Sequence, residues 1–423
     1  MKINGLRWLM IALVFLATVI NYIDRQTVSV LKTSISQDLG MSNADYAAVQ
    51  NSFLLFYGIS QMVSGRIYDM IGTRRGFILS IVVWSLAALA HAMARSAAAF
   101  SAFRAFLGFG EAGNWPGAAK VAGEWFPVRE RALALGIFNT GAAVGGALSP
   151  PLIALLATAY GWRMTFVVTG LLGFVWLAGW LVMFRTPSTH PWITDAEWAH
   201  IQDGATIVAG PGWRPGWLQL LTYRQTWAIV MGRFITDPIW YLYIFWMPAY
   251  LQEARGFSLQ EVGESAWLPF LAAGLGALSG GYASGALIAR GWTVDRSRKS
   301  VMMVGALMTS AGILAMRATD PYLALAWMSV TLFGFQVWVN NLQTLPSDFF
   351  PNSAVGSVFG LGGAAAAIAS IAFTWGTGQV VDAFGYTPMF LVAGVLGPLG
   401  FAVTLTLAGR IHQLPVGQRE QQA

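Results

Sequence analysis

The sequence has no cysteine and little charge. The absence of cysteine from its 423 residues excludes disulfide bonds, thiol nucleophiles and cysteine metal sites. Charged residues make up 10% of the chain, whereas soluble domains have about 25%. Histidine is also rare, and its positions lack the spacing of a metal site: His91, His190, His200 and His412. Since no nucleotide-binding loop is present either, the sequence disfavours an enzyme, a metal site and a cofactor.

Apolar residues dominate instead. Hydrophobic residues account for 56% of the chain, together with 19 Trp and 47 Gly. Tryptophan anchors helices at membrane interfaces, and glycine allows membrane helices to pack closely. The composition therefore predicts an all-α membrane protein with about twelve transmembrane helices, each near the roughly 20 residues that a bilayer requires. The predicted spans are 8–30, 46–68, 77–95, 98–120, 132–157, 164–184, 226–251, 264–288, 300–317, 321–345, 354–378 and 387–409.

The basic residues predict the orientation of these spans. With the N-terminus in the cytoplasm, most of the 25 Lys and Arg residues fall in cytoplasmic loops and tails. The opposite side holds only Lys32, Arg95, Arg163, Arg255 and Arg317. The positive-inside rule therefore predicts that both termini are cytoplasmic. This asymmetry also explains the net charge of +6 without a nucleic-acid partner.

One long connection, rich in Pro, Gly, Trp and charge, divides the chain into two halves. It covers residues 185–225 and separates an N-terminal bundle (1–184) from a C-terminal bundle (226–423). The halves resemble each other, because EWFPVRERALALG at 124–136 aligns with DFFPNSAVGSVFG at 348–360. We therefore expect two pseudo-symmetric six-helix bundles, an internal duplication that is typical of secondary transporters.

Four charged residues interrupt the apolar spans of the N-terminal half. Asp24 and Arg25 lie in the first span, and Arg104 and Glu111 lie in the fourth. Arg104, Gly108 and Glu111 have the spacing of residues that share one face of a helix. Ionisable groups inside a membrane are costly and usually mark a substrate or proton path. These four residues are therefore the candidate functional site.

The helical rise predicts the depth of these charges. Asp24 lies about 24 Å along the first span, toward the outer side. The fourth span runs in the opposite direction, so Arg104 enters near the outer side and Glu111 lies about 10 Å deeper. We expect a ladder in which Asp24, Arg25 and Arg104 lie above Glu111. The alternative is an ion pair between Asp24 and Arg104 that only fixes helix packing.

Such a ladder can link an anion to a proton. Arginine binds a carboxylate with two parallel hydrogen bonds, which suits an organic anion. When a substrate carboxylate takes the arginine that an acid was using, the acid loses its counter-charge and binds a proton. The pattern therefore predicts proton symport. Sodium coupling is the rival hypothesis, but it requires clustered oxygen ligands, and the sequence shows no such cluster near these spans.

Other polar and aromatic residues of the spans are candidates for sugar binding. Tyr22 and Tyr57 lie in the first two spans, and Trp240 lies in the seventh. Each can contact a sugar, although aromatic residues at helical spacing are more often packing residues. The tenth span carries polar side chains that suit sugar hydroxyls, namely Asn340, Gln343 and Thr344. In the seventh span, Arg233 and Asp237 stand at i, i+4 and are expected to neutralise each other.

The loop between the second and third spans has a specific pattern, GRIYDMIGTRR at 65–75. It contains Gly65, Asp69, Gly72, Arg74 and Arg75, and on composition alone it could be a solvated turn. Its spacing, G-x-x-x-D-x-x-G-x-R-R, resembles the signature loop of the major facilitator superfamily. The resemblance implies a conformational latch between the Asp and Arg residues. The corresponding loop of the second half, GALIARGWTVDRSRKS, keeps mainly its charge.

Across almost the whole chain, the sequence resembles the anion:cation symporter family and its hexuronate transporters. The resemblance is carried by NYIDR, RAFLGFGEAGNWPGAAKVAGEWFPVRERALALGIFNTGAAVGG, RFITDPIWYLYIFWMPAYL and QTLPSDFFPNSAVGSVFGLGG. It implies that Arg25 holds the substrate carboxylate and that Asp24 and Glu111 carry protons. Aldonate transporters of this family can carry amide side chains where this chain has Ala142 and Gly363, which favours a hexuronate.

The sequence thus leads to one expected function and several alternatives. We expect a monomeric symporter in the inner membrane that imports a hexuronate, such as galacturonate or glucuronate, with protons by alternating access. The alternatives are symport of an aldonate, aldarate or aromatic carboxylate, a membrane sensor, or an anion channel. A sensor would need a signalling domain for which neither terminus has room, and a channel would not need the latch or the titrating ladder.

Overall fold

The computed structural model describes residues 2–202, 216–350 and 352–414. At a few positions within these ranges it describes the backbone only, and these include Gly65 and Asp69 of the signature loop. The described residues fold almost entirely into α-helices, with one isolated β-bridge between Ile3 and Ile193. The expected all-α architecture is confirmed.

The helices follow the predicted spans closely, and each predicted span falls on one or two of them. In chain order they are α1 (Leu6–Val30), α2 (Lys32–Leu39), α3 (Asn43–Ile71), α4 (Thr73–His91), α5 (Ala97–Glu111), α6 (Asn114–Trp125), α7 (Val128–Met183), α8 (Asp195–Gln202), α9 (Trp217–Leu220), α10 (Arg224–Glu253), α11 (Leu259–Ser265), α12 (Leu268–Ala289), α13 (Val294–Met308), α14 (Ala311–Arg317), α15 (Pro321–Phe349), α16 (Asn352–Phe384) and α17 (Thr387–Ala408).

Helix α7 contains two of the predicted spans. It bends at Gly161, whose φ of 78° is a backbone conformation that glycine adopts without strain. Among the described residues, eight helical segments are long and apolar enough to cross a membrane, and the segment Ala134–Met183 of α7 counts as one of them. The other predicted spans lie on the more polar or shorter helices α3, α5, α6 and α10.

The chain forms two compact units. Unit 1 contains Met1–Val208 and Gly256–Trp267, and unit 2 contains Ala209–Arg255 and Leu268–Ala423. In unit 1, α1 packs on α7, and α5 packs between α3 and α4. In unit 2, α12 and α13 pack on α15, and α10 packs on α16 and α17.

Glycines bring α5 unusually close to its two neighbours. A Cβ atom at Gly108 would lie 2.5 Å from the carbonyl oxygen of Phe53 on α3. A Cβ atom at Gly110 would lie 2.6 Å from the backbone nitrogen of Trp84 on α4. Larger side chains would push the helices apart, so these glycines set the position of the α5 backbone that carries Arg104 and Glu111.

The fourth predicted span is interrupted directly after Glu111. Helix α5 ends at Glu111, and α6 begins at Asn114. Pro116 has no N–H group, so it cannot donate to the carbonyl of Ala112 four residues earlier. The hydroxyl of Ser64 lies 3.5 Å from that carbonyl oxygen. The sequence therefore places the buried acid at a helix break.

Part of the predicted linker is ordered against unit 1. Glu197 of α8 accepts hydrogen bonds from the backbone N–H groups of Leu6 at 2.9 Å and Arg7 at 3.1 Å. It also forms a 3.1 Å ion pair with the Arg7 side chain, which in turn contacts Glu130 at the start of α7. Carboxylates are favourable at helix N-termini, so Glu197 caps α1. The linker thereby holds the first turns of α1 and α7 together.

Candidate functional site

The centre of the candidate site is a buried ion pair between α1 and α5. Arg25 donates to one carboxylate oxygen of Glu111, from Nε at 3.2 Å and from Nη2 at 2.8 Å. Nη2 also donates to the side-chain oxygen of Asn21 at 3.2 Å. The side chain of Arg25 is 4% exposed, and that of Glu111 is 0% exposed. The difference in depth between Arg25 and Glu111 stays a prediction, and the structure adds that the two side chains are in direct contact.

Three aromatic rings surround the guanidinium of Arg25. Its central carbon lies 5.0 Å from the ring centre of Tyr22 and 4.9 Å from those of Phe53 and Tyr57. At these distances the ring faces attract the cation. The structure therefore brings Tyr22 and Tyr57 to Arg25, as the candidate site requires. Phe53 was missed, although its position one turn before Tyr57 on α3 puts both residues on the same helix face.

Arg104 is held by neutral groups. Its Nη2 donates to the amide oxygen of Gln50 at 2.9 Å and to the backbone oxygen of Arg25 at 3.1 Å. Gln50 in turn donates to the hydroxyl of Tyr46 at 2.7 Å. Nε and Nη1 of Arg104 are buried without a hydrogen-bond partner. A neutral amide orients this arginine without cancelling its charge, and sequence reasoning missed Gln50 because a lone glutamine carries no motif.

Asp24 occupies a different environment from its neighbour in the chain. It is 2% exposed, and neither carboxylate oxygen has a hydrogen-bond partner. The hydroxyl of Thr169 on α7 is its nearby polar group. No ion pair joins Asp24 to Arg104 among the described residues, so the alternative in which these two residues form a packing ion pair is wrong. Asp24 is a buried acid without a direct counter-ion.

The candidate residues of unit 2 are mostly engaged in helix packing. Trp240 stacks on Phe335 with ring centres 5.8 Å apart. Asn340 donates to the backbone oxygen of Ala277 at 2.8 Å. Thr344 donates to the backbone oxygen of Asn341 at 2.7 Å. Gln343 is partly exposed. Of these hydrogen bonds, that of Asn340 joins α15 to α12, whereas that of Thr344 stays within α15.

Arg233 and Asp237 pair with each other as expected. Nε of Arg233 lies 3.0 Å and Nη2 lies 2.8 Å from the same oxygen of Asp237. The ion pair is largely buried, with 14% and 8% of the two side chains exposed.

The described part of the signature loop links three helices of unit 1. Gly72 has a φ of 80°, which favours glycine at this turn. Thr73 donates to Glu124 at 2.5 Å, and Arg74 donates to the backbone oxygen of Leu181 at 2.7 Å. Arg75 is exposed. The proposed latch residues Gly65 and Asp69 lie outside the residues whose side chains are described, so the latch itself stays a prediction.

The second half has a related connection at the equivalent place. Arg298 at the start of α13 forms a 3.1 Å ion pair with Asp348 at the end of α15. Arg298 and Asp348 each lie 224 residues after Arg74 and Glu124 of the first half. The contacts differ, because Glu124 accepts from Thr73 and Arg74 donates to Leu181, whereas Arg298 and Asp348 pair directly.

Comparison with known proteins identifies the family. The sequence profile of the Major Facilitator Superfamily matches residues 14–374. The chain belongs to this superfamily. It is therefore a transporter and a multi-pass integral membrane protein rather than an enzyme, and transporters of this superfamily generally need no cofactor.

Relatives within the superfamily include sugar-acid transporters. The chain is 34% identical to the hexuronate transporter of Escherichia coli (strain K12), over 99% of this chain and 97% of that protein. It is 35% identical to the galacturonate transporter of Dickeya chrysanthemi, over 77% of this chain and 95% of that protein. The resemblance to hexuronate transporters is thereby confirmed.

Solved structures show the same fold at low sequence identity. A bacterial homologue of the human lysosomal transporter Spinster has a TM-score of 0.79 and 17% identity, covering 96% of this chain and 98% of that one. A D-xylose-proton symporter has a TM-score of 0.75 and 14% identity, covering 95% and 98%. These similarities support the superfamily fold over nearly the whole chain.

Proposed function

We propose that this protein is a proton-coupled symporter that imports a hexuronate, such as galacturonate or glucuronate, by alternating access. The support for the substrate is the similarity to hexuronate and galacturonate transporters over most of the chain. In this proposal the protein is a monomer in the inner membrane, with twelve spans in two six-helix bundles (1–184 and 226–423) and cytoplasmic termini. The substrate anion, protons and the bilayer are its partners.

The contact between Arg25 and Glu111 carries the proposal of coupling. Both side chains are buried, and two N–H groups of Arg25 converge on one oxygen of Glu111. A hexuronate carboxylate can occupy the same donors in place of Glu111. Glu111 is then a buried carboxylate without its counter-ion, which favours binding of a proton. The anion thus enters the site together with a proton on Glu111, and the departure of the anion returns Arg25 to Glu111.

Asp24 and Arg104 complete the proposed site. Asp24 is a second proton carrier, because its carboxyl group is buried with neither a hydrogen bond nor an ion pair. Arg104 adds positive charge and N–H groups that are not used by other side chains. Such unused buried donors suit an anionic ligand. Tyr22 and Tyr57 border Arg25 and offer hydroxyls to the sugar. Trp240, Asn340, Gln343 and Thr344 are the proposed contacts of unit 2.

Uptake by reconstituted protein tests this function. Proteoliposomes with an imposed inward proton gradient should accumulate labelled galacturonate above its external concentration. The matched control has the same internal and external pH, and a second control replaces external sodium with potassium. Accumulation that is unchanged when the proton gradient is collapsed, or that requires sodium, would refute proton coupling.

Competition with other acids tests the substrate. More distant relatives include a D-galactonate transporter with 26% identity and a probable galactarate/D-glucarate transporter with 29% identity. Unlabelled glucuronate should compete with labelled galacturonate more strongly than galactonate or galactarate does. The opposite order would favour an aldonate or aldarate as the substrate of the same symporter.

A further inference from the structure

Among the residues that the structure describes, the ion pair of α10 leaves two polar atoms without hydrogen-bond partners. Both hydrogen bonds from Arg233 go to Oδ2 of Asp237, and neither of them uses Nη1. Oδ1 of Asp237 is buried and has no hydrogen-bond partner. A buried acceptor without a partner is rare and needs an explanation, such as a ligand or a bound water. If the pair served only to cancel charge, nothing would require this oxygen to stay unpaired.

Two glycines of α16 let the side chain of Arg233 pack closely against this helix. A Cβ atom at Gly363 would lie 3.5 Å from Nη1 of Arg233, and one at Gly362 would lie 3.1 Å from Cδ. The ring of Phe359, one turn earlier on α16, lies 5.4 Å from the guanidinium carbon. The arginine is therefore held against an aromatic ring, while its Nη1 faces a position without a side chain.

The donor Nη1 of Arg233 and the acceptor Oδ1 of Asp237 can together bind a sugar. Each hydroxyl of a sugar can both donate and accept a hydrogen bond. Neighbouring hydroxyls can therefore donate to a carboxylate oxygen and accept from a guanidinium at the same time. The polar side chains of Asn340 and Thr344, by contrast, already donate to backbone oxygens.

We propose that Arg233 and Asp237 form a hydroxyl-binding subsite of unit 2, in which one hydroxyl of the sugar acid donates to Oδ1 of Asp237 and the adjacent hydroxyl accepts from Nη1 of Arg233. This inference rests on the proposed transport of sugar acids. It adds the residues of unit 2 that recognise the hydroxyl groups.

Binding of deoxy sugars tests the subsite. The assay is competition between labelled galacturonate and its monodeoxy analogues, lacking the hydroxyl at C2, C3 or C4, on the purified protein. A hydrogen bond to a charged group corresponds to roughly a 10- to 100-fold change in affinity. In the wild type, two analogues that lack adjacent hydroxyls should bind more weakly by about this factor.

The decisive variant replaces both charges, Arg233→Leu with Asp237→Leu, so that neither charge is left buried alone. It should bind galacturonate more weakly, and the penalty for the two analogues should disappear. Asp237→Asn provides a second, more conservative variant. Gly363→Val should weaken binding, because the added side chain would crowd Nη1 of Arg233. Gly360→Ala on the same helix is the matched control, because a Cβ atom there contacts nothing within 4 Å.

The possible outcomes separate the two proposals. If the double variant keeps the wild-type penalty for the deoxy analogues, or if the wild type shows no such penalty, the subsite is refuted while sugar-acid transport stands. If Gly363→Val binds like Gly360→Ala, Nη1 of Arg233 does not contact the ligand and the subsite is also refuted. A wild-type protein that binds no sugar acid would overturn the proposed function itself.

Discussion

Replacing Glu111 with Gln tests the proposed coupling most directly, because it removes a charge and changes few atoms. In the structure, Glu111 is fully buried and one of its oxygens accepts two hydrogen bonds from Arg25. Removing one partner of a buried ion pair costs about 3–5 kcal/mol, since the other charge is left unpaired. The glutamine oxygen can still accept a hydrogen bond from a charged donor, which is worth about 1.5–3 kcal/mol. We therefore expect the variant to lose about 1–3 kcal/mol of stability and to remain folded.

The transport assay separates binding from coupling. Glutamine cannot carry the proton, so Glu111→Gln should no longer accumulate galacturonate in response to a proton gradient. Exchange of labelled for unlabelled galacturonate across the vesicle membrane needs no net proton movement and should persist. Glu264→Gln, which changes an exposed acid of α11, is the control and should transport normally.

Two results would refute this reasoning. Proton-driven accumulation by Glu111→Gln would show that Glu111 does not carry the coupled proton. Loss of exchange and binding together, in a variant that thermal unfolding shows to be folded, would make Glu111 a substrate ligand or a packing residue instead.

Two further predictions concern the framework around the site. Gly108→Ala places a Cβ atom 2.5 Å from the Phe53 carbonyl oxygen, so overpacking should cost about 1–3 kcal/mol of stability and weaken substrate binding. Thermal unfolding and binding assays measure the two effects. Gly123→Ala is the control and should have neither effect, because a Cβ atom at that position would have no neighbouring atom within 4 Å. Ser42→Ala removes the N-cap of α3 and should cost about 1 kcal/mol at neutral pH. The Ser42 hydroxyl, followed by its backbone N–H, lowers the pKa of Asp45. Because this pKa is lowered in the folded state, the ionised carboxylate stabilises that state at pH values above the ordinary Asp pKa of about 3.9. The stabilisation is lost as the pH falls through the folded-state pKa. The difference in melting temperature between wild type and Ser42→Ala should therefore shrink between pH 6 and pH 3, and a constant difference would contradict the role of Asp45.

Helices and buried charges could be predicted from the sequence. Long apolar segments cannot remain in water, so they predicted membrane-spanning helices. The structure has helices at the same residues, and eight helical segments of its described part are long and apolar enough to cross a membrane. Charges inside such segments are costly enough to stand out, which is why Asp24, Arg25, Arg104 and Glu111 could be selected from one sequence. The i, i+4 spacing similarly predicted the pairing of Arg233 with Asp237.

The packing of the helices determines which charges meet. Helical rise gives the depth of a residue but neither the rotation of its helix nor the tilt against its neighbours. Depth placed Asp24, Arg25 and Arg104 above Glu111 and left their partners open. Packing brings Arg25 to Glu111 and gives Arg104 a neutral partner, Gln50.

The close packing that brings these residues together depends on glycine and proline residues whose role the sequence pattern does not show. Gly108 and Gly110 bring α5 against the backbones of α3 and α4, and Pro116 follows the break after Glu111. In the other unit, Gly362 and Gly363 let the side chain of Arg233 pack closely against α16. A short stretch of sequence shows that a charge is buried, but its partner depends on contacts between residues that are far apart in the chain.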